Sequence, residues 1–195
     1  TTFQDSQYGD IYIEVDADLI LEDVTLTQPT TIVGWNSFDP SAVVLVNTLN
    51  MDGIGSLTID GITLAFDNDF TFEGQGKLLA VNANLTSNGL GAVKLTIGEQ
   101  FTLDGTDISA GSISYYGQDD IVFVNRGAID GNASSVVIDP AGTMESPTPG
   151  ITNRGVIKGS EIYIEDAFID NHGGVIGELG TGYVYLSGVN IVGGL

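Results

Sequence analysis

The sequence predicts an all-β fold: a single-domain parallel β-helix, or β-solenoid. Short runs of β-branched and aromatic residues alternate with Gly, Asn and Asp, and runs with helical spacing are absent. Polar anchor residues also recur about every 19 residues along the chain. The 195 residues give room for one domain with a substantial core, so we treat residues 1–195 as a single unit.

The recurring anchors set the phase of the predicted repeat. A strand follows most anchors and a further strand often runs into the next one, which gives three short strands per repeat. A single coil cannot bury its apolar face, so successive coils must stack at the spacing of neighbouring strands. We expect about nine or ten coils of about 19 residues, wound right-handed. The anchors are Asn47, Asn68, Asn88, Asp107, Asn125, Asn153, Asn171 and Asn190.

The anchors are mostly asparagine, which favours a structural role. Asn tolerates left-handed turns, and its side-chain amide both donates and accepts hydrogen bonds. Stacked asparagines therefore predict a hydrogen-bonded ladder at one corner of the coils. One interval is longer than the others, and we assign its excess to an inserted loop at residues 139–150, which is rich in Pro and Gly. Residues 1–10 are predicted as an N-terminal extension or strand.

Charge and composition exclude several classes of function. The 26 acidic residues against 5 basic ones give a net charge of −21, which opposes binding to nucleic acid and to anionic membranes. No apolar run reaches about 18 residues, so no membrane insertion is expected. The chain lacks cysteine and has one histidine, which excludes disulfides and Cys- or His-rich metal sites. We predict no cofactor and assign no metal site, although acidic pairs such as Asp16 and Asp18 leave calcium binding open.

Two solenoid families resemble parts of this sequence. Residues 29–34 and 56–64 read PTTIVG and SLTIDGITL, phrases that resemble the opening coils of pectin-lyase-like right-handed β-helices. Residues 124–131 and 151–159 carry an Asn-x-Gly-x-Ile-x-Gly pattern, and residues 169–177 carry it with Val175 in place of Ile. The pattern is similar to the repeats of filamentous-haemagglutinin-type surface adhesins. These resemblances imply a β-helix at the cell surface or outside the cell, and they say little about activity.

One segment resembles a catalytic motif. Asp119 and Asp120, ahead of Ile121, are similar to the aspartate pair of polygalacturonases, in which paired carboxylates protonate the leaving oxygen and activate water. His172 faintly resembles the histidine of that family. The other motifs of the family are missing and the chain is shorter than its members, so we predict that the protein is not an enzyme. The alternative is a carbohydrate-active or glycan-binding protein.

Two further groups are candidates for surface contacts. Arg126 and Arg154 each follow an anchor asparagine and His172 follows the next one, which predicts a small cationic stripe for ion pairs or an acidic glycan. Tyr163, Tyr183 and Tyr185 alternate with aliphatic residues, so they are expected to face outward. An exposed tyrosine row suits a protein interface, stacking between coils or a glycan platform.

The ends of the predicted rod suggest its function. Soluble solenoids protect their terminal strand edges with polar caps, and no cap is evident at either end. We therefore expect a structural subunit of a secreted or cell-surface filament or adhesin, assembled head to tail as a homo-oligomer. A glycan or surface receptor remains a candidate partner, and ice binding is a less favoured reading. The residues assigned to the assembly interface are Ile11, Tyr12, Ile13, Ile191, Val192 and Leu195.

Overall fold

A computed structural model describes most of the chain, and every regular element in it is a β-strand. No helix long and apolar enough to cross a membrane occurs in the part described. The predicted extension at residues 1–10 and most of the predicted loop, residues 140–149, lie outside that part. The described residues are 11–15, 19–21, 24–26, 29–34, 42–46, 49–51, 56–87, 93–111, 121–131, 135–139 and 150–194.

Twenty strands are formed by these residues. In chain order they are β1 (Ile11–Val15), β2 (Leu19–Leu21), β3 (Val24–Leu26), β4 (Thr30–Gly34), β5 (Ala42–Val46), β6 (Leu49–Met51), β7 (Ser56–Asp60), β8 (Ile62–Phe66), β9 (Phe70–Phe72), β10 (Lys77–Ser87), β11 (Val93–Ile97), β12 (Thr102–Gly111), β13 (Ile121–Asn125), β14 (Ala128–Asp130), β15 (Ser135–Asp139), β16 (Ile151–Asn153), β17 (Val156–Glu165), β18 (Phe168–Asp170), β19 (Val175–Ser187) and β20 (Asn190–Val192).

The strands stack in parallel on three faces, which confirms the predicted β-solenoid. The first face runs β1-β4-β7-β10-β12-β14-β17, with β19 paired to β17. The second face begins with β2-β5-β8 and continues with the later halves of β10 and β12. It then passes through β15 to the later halves of β17 and β19. The third comprises β3-β6 and β9-β11-β13-β16-β18-β20.

Long strands cross a corner between the first two faces. In β10, Lys77 to Val81 pair with β7, and Asn84 to Ser87 pair with β8. Asn82 lies between these segments with φ 45°, a left-handed conformation that Asn tolerates better than most residues. The corner therefore bends the chain without ending the strand.

The coils are longer and less uniform than the predicted repeat. Paired residues lie 18 apart where Ile151 meets Ile169 and 28 apart where Phe123 meets Ile151, and coils are about 25 residues apart overall. Nine or ten coils of about 19 residues is therefore too many. Only the faces are fixed by pairing, so residues added at corners and loops lengthen a coil without changing its stacking.

Inward side chains form one continuous apolar core along the stack. In β7 the exposed fraction falls to 0% at Leu57 and Ile59, and the same alternation recurs on the coils above. Phe72 packs against Phe101 with ring centroids 5.0 Å apart, which joins consecutive coils through aromatic contact. Each fully buried side chain of this size stabilises the fold by about 1.5–3 kcal/mol relative to exposure, and stacking makes this burial available to every coil.

Basic side chains link neighbouring coils by ion pairs. Four of the five basic residues in the sequence pair with an aspartate on an adjacent coil. Most of the 26 carboxylates therefore keep an unbalanced charge. The pairs are Lys77–Asp104, Lys94–Asp69, Arg154–Asp170 and Lys158–Asp130.

Candidate functional site

Three of the predicted anchor asparagines form a ladder at the corner that follows the third face. The side-chain amide of Asn125 donates to Asn153 Oδ1 at 2.8 Å, and that of Asn153 donates to Asn171 Oδ1 at 2.7 Å. The exposed fractions are 0%, 0% and 4% along the ladder, so these hydrogen bonds are shielded from water. Since buried polar groups without partners are costly, each rung stabilises the stacking of two coils.

The ladder also ties the corner to the strand that follows it. Asn125 Nδ2 donates to the Val156 carbonyl and Asn153 Nδ2 to the Val175 carbonyl, both at 3.1 Å. Each of these amides thus uses its two N–H groups on the next coil, one for the ladder and one for the backbone. An asparagine serves both purposes because its amide carries two donors and an acceptor.

The ladder is limited to the later coils. Ile97 and Phe72 occupy the same column below Asn125, since Ile97 pairs with both Asn125 and Phe72. Within the described residues Asn125 Oδ1 has no hydrogen-bond partner, which follows from this apolar column beneath it. The column changes here from apolar packing to hydrogen bonding.

The other predicted anchors are not part of this ladder where the structure describes them. Asn68 is exposed in the turn after β8, and Asn190 is exposed in β20 opposite Phe168. Asp107 lies in β12 at the bend between the first two faces. Its neighbours Thr106 and Ile108 pair with Val81 and Ala83. Placing these three in the ladder was wrong, because coil lengths vary and a constant period loses the phase. Asn47 and Asn88 lie outside the described residues.

Glycines pack the corner tightly beside the ladder. A Cβ atom on Gly127 would overlap the carbonyl oxygens of Gly98 and Phe101, and one on Gly155 would overlap the carbonyl oxygen of Gly127. The backbones therefore approach too closely for any side chain. This explains the glycine of the Asn-x-Gly pattern at Gly127 and Gly155, whereas Gly173 adopts φ +80° and a Cβ there would meet no atom within 4 Å.

The residue between Asn and Gly points to solvent and carries positive charge or histidine. Arg126 and Arg154 are both exposed at equivalent positions, followed by His172 one coil later. Arg154 forms a bidentate pair with Asp170, at 3.1 and 2.6 Å, while Arg126 forms no ion pair with any described residue. Arg126, Arg154 and His172 therefore line up on successive coils as predicted, and Asp170 neutralises the charge of Arg154.

Asp170 is the centre of a small polar cluster that the sequence pattern missed. Its Oδ1 lies 2.7 Å from His172 Nδ1 and also accepts the His172 backbone N–H at 3.2 Å. Hydrogen bonds from Arg154, and then from His172, hold the pKa of Asp170 well below its usual range. The available signal was the Asp-Asn-His run at residues 170–172, which places a carboxylate two residues before the histidine.

The predicted tyrosines lie together on the outward side of the second face. Tyr183 and Tyr185 are 46% and 48% exposed, and Tyr163 lies within ring contact of both. The Tyr163 hydroxyl hydrogen-bonds to that of Tyr183 and lies 3.1 Å from Glu161 Oε2. Glu161 was not recognised from the sequence, although its position two residues before Tyr163 places both on one side of a strand.

The predicted interface residues lie on strands at the two extremes of the described stack. Ile11, Tyr12 and Ile13 belong to β1, which pairs with β4 alone among the described strands. Ile191 and Val192 belong to β20, pair with β18, and are 39% and 41% exposed. Leu195 lies outside the described residues.

The candidate catalytic and calcium groups are described only in part. Asp119, Asp120 and Asp16 lie outside the described residues, so their geometry stays a prediction. Among the residues that are described, no three His, Asp or Glu side chains are grouped so as to hold a metal ion. His172 contacts Asp170 at an exposed corner.

Comparison with known proteins found no match to this chain. No model of a known protein family matches the chain. No curated protein and no solved structure matches it either.

Proposed function

We propose that this chain is a non-enzymatic structural subunit of a secreted or cell-surface filament or adhesin, and that its copies assemble end to end. The observation that carries this proposal is the continuation of core columns onto an open strand edge. Ile151 and Ile169 are fully buried, whereas Ile191, next in the same column, is 39% exposed. Likewise Ile164 is fully buried and its partner Leu186 is 43% exposed.

A further coil would cover these residues in the same way that each coil covers the one before it. Among the described strands, β19 and β20 pair on one side only, and their other edges offer backbone N–H and C=O groups for parallel pairing, the basis of strand addition. We commit to a second copy of the chain as the source of that coil. At the opposite extreme of the described stack, β1 belongs to the same parallel sheet and pairs only with β4 among the described strands, so coils of one copy can continue onto another.

Contact between opposite ends of identical subunits is heterologous. Such a contact propagates into a filament when its rotation does not close a ring. Val192 does not continue a core column. It pairs with Asp170, which is half-buried and faces outward, so we assign the main interface contact to Ile191.

The extracellular location and the adhesin character rest on the sequence resemblance. The Asn-x-Gly corner resembles the repeats of filamentous-haemagglutinin-type adhesins, and the earlier coils resemble right-handed pectin-lyase-like helices. A strongly acidic surface with no cysteine is compatible with a rod outside the cell, where repulsion keeps rods apart laterally. End contacts then dominate over side contacts.

Sedimentation velocity on matched variants tests the proposal. The unmodified protein should form species that grow with concentration at moderate salt, and I191K should remain small because a buried unpaired charge disrupts the end contact. V156K is the control, since Val156 is similarly exposed at 37% but lies away from the open edge. A protein that stays monomeric at high concentration, or an I191K variant that assembles normally, would contradict end-to-end assembly. Turnover of polygalacturonate that depends on Asp119 and Asp120 would contradict the non-enzymatic assignment.

A further inference from the structure

Three tyrosines and two glutamates share one outward patch on β17 and β19. Strand pairing places Glu161 beside Tyr183 and Tyr163 beside Tyr185, and Glu165 lies beside Ser187 at the edge of the patch. The intervening residues of β17, Ile162 and Ile164, are fully buried in the core. We call Glu161, Tyr163, Glu165, Tyr183 and Tyr185 the tyrosine patch.

The rings in the tyrosine patch are set at angles to one another. Tyr163 and Tyr183 are almost perpendicular, at 86° with centroids 5.7 Å apart. Tyr163 and Tyr185 are tilted by 50° with centroids 5.8 Å apart. Sugar rings stack on flat aromatic surfaces, whereas angled ring faces offer several attractive directions to a small rounded group.

The tyrosine patch carries two negative charges and no positive charge. The carboxylates of Glu161 and Glu165 can both pair with a cation, and the patch contains no Lys, Arg or His. The hydrogen bonds of Tyr163 to Tyr183 and Glu161 raise its pKa above the usual value. The net charge of −21 adds a field that attracts cations to the surface as a whole.

We propose that the tyrosine patch binds a small organic cation that carries a quaternary ammonium group. Aromatic faces attract such cations through the negative potential of their π-systems, and the methyl groups pack against the rings. Glu161 and Glu165 supply the opposite charge. A quaternary ammonium fits better than a primary amine because it gives up little hydrogen bonding to water when it contacts the rings.

The patch favours a free cation over a lipid headgroup. A phosphocholine headgroup brings a phosphate close to the ammonium, and that phosphate would lie near two carboxylates and be repelled. The patch faces outward from β17 and β19, and β19 also forms part of the open edge, so choline binding is measured at protein concentrations below those at which subunits assemble.

Titration with choline tests the proposal, with binding followed by calorimetry and by tyrosine fluorescence. Choline should bind with saturable, millimolar-range affinity, and the neutral isostere in which a tert-butyl group replaces the trimethylammonium should not. E161Q and Y183A should each weaken choline binding by about fivefold or more. E73Q removes the same charge at an exposed residue outside the patch and should bind as the unmodified protein does.

Each alternative outcome has a defined meaning. Circular dichroism and thermal melting establish that every variant is folded before its affinity is compared, and Y183F provides a variant that keeps the ring if Y183A does not fold. Equal binding of the neutral isostere, equal loss in E73Q and E161Q, or no saturation by choline would overturn the proposal. Binding to phosphatidylcholine vesicles in preference to free choline would overturn the assignment to a free cation.

Discussion

Asn125 and Asn153 lie 28 residues apart in the chain, and the side-chain amide of the first donates to the side-chain oxygen of the second at 2.8 Å. Both residues are fully buried. This contact fixes the register of two coils even though a long insertion separates them, because the hydrogen bond is available only when the two corners superimpose.

The first prediction concerns this ladder. N153A should lower the free energy of unfolding by about 1–3 kcal/mol, since it removes hydrogen bonds to Asn125 and Asn171 and leaves buried groups unsatisfied. N68A changes an exposed asparagine and should have an effect within about 0.5 kcal/mol. Urea denaturation of the two variants measures the difference, and equal effects would refute a stabilising role for the ladder.

The second prediction concerns the glycines beside the ladder. G155A should destabilise the fold by about 1–3 kcal/mol or prevent folding, because its Cβ would overlap the Gly127 carbonyl oxygen. G177A is the matched control, since a Cβ there meets no atom within 4 Å. Thermal melting should separate them. Similar melting temperatures would mean that the corner can relax to accept a side chain.

The third prediction concerns acid sensitivity at Asp170. Its folded-state pKa lies below its ordinary value, so its contribution to stability is present above about pH 4 and is lost as the pH falls further. D170N removes this contribution at neutral pH, so the gap in melting temperature between D170N and the unmodified protein should narrow on acidification. R154Q should behave as D170N does, and R126Q, which changes an arginine with no described ion-pair partner, should not. A difference in melting temperature that does not change with pH would contradict a stabilising role for ionised Asp170.

The fourth prediction concerns charge and assembly. With a net charge of −21, repulsion between subunits should oppose end contacts at low ionic strength. Salt screens this repulsion, and at about 0.1 M the Debye screening length is about 10 Å. Calcium also binds carboxylates and can bridge those of neighbouring subunits. Light scattering should therefore rise with added salt or calcium. Light scattering that stays flat or falls in both titrations would contradict charge-limited end-to-end assembly. Magnesium is the control for the effect of divalent charge alone.

Alternating side chains, turn residues and the recurrence of the anchor residues together predicted the solenoid. Runs such as Leu57-Thr58-Ile59 place side chains alternately inside and outside, and the structure buries Leu57 and Ile59 as this period requires. The Asn-x-Gly corners at Asn125, Asn153 and Asn171 were also recognisable, since both residue types carry conformational and hydrogen-bonding signals that are local to the chain.

The sequence by itself thus determined the β-solenoid, the outward tyrosines and the residue types of the ladder. The tertiary structure decided the register, because pairing depends on how many residues each corner accommodates, and a constant period misplaced Asn68 and Asn190. It also decided the contacts across coils, such as Arg154 with Asp170 and the near-perpendicular rings of Tyr163 and Tyr183. Those partners are distant in the chain, and only stacking brings them within reach.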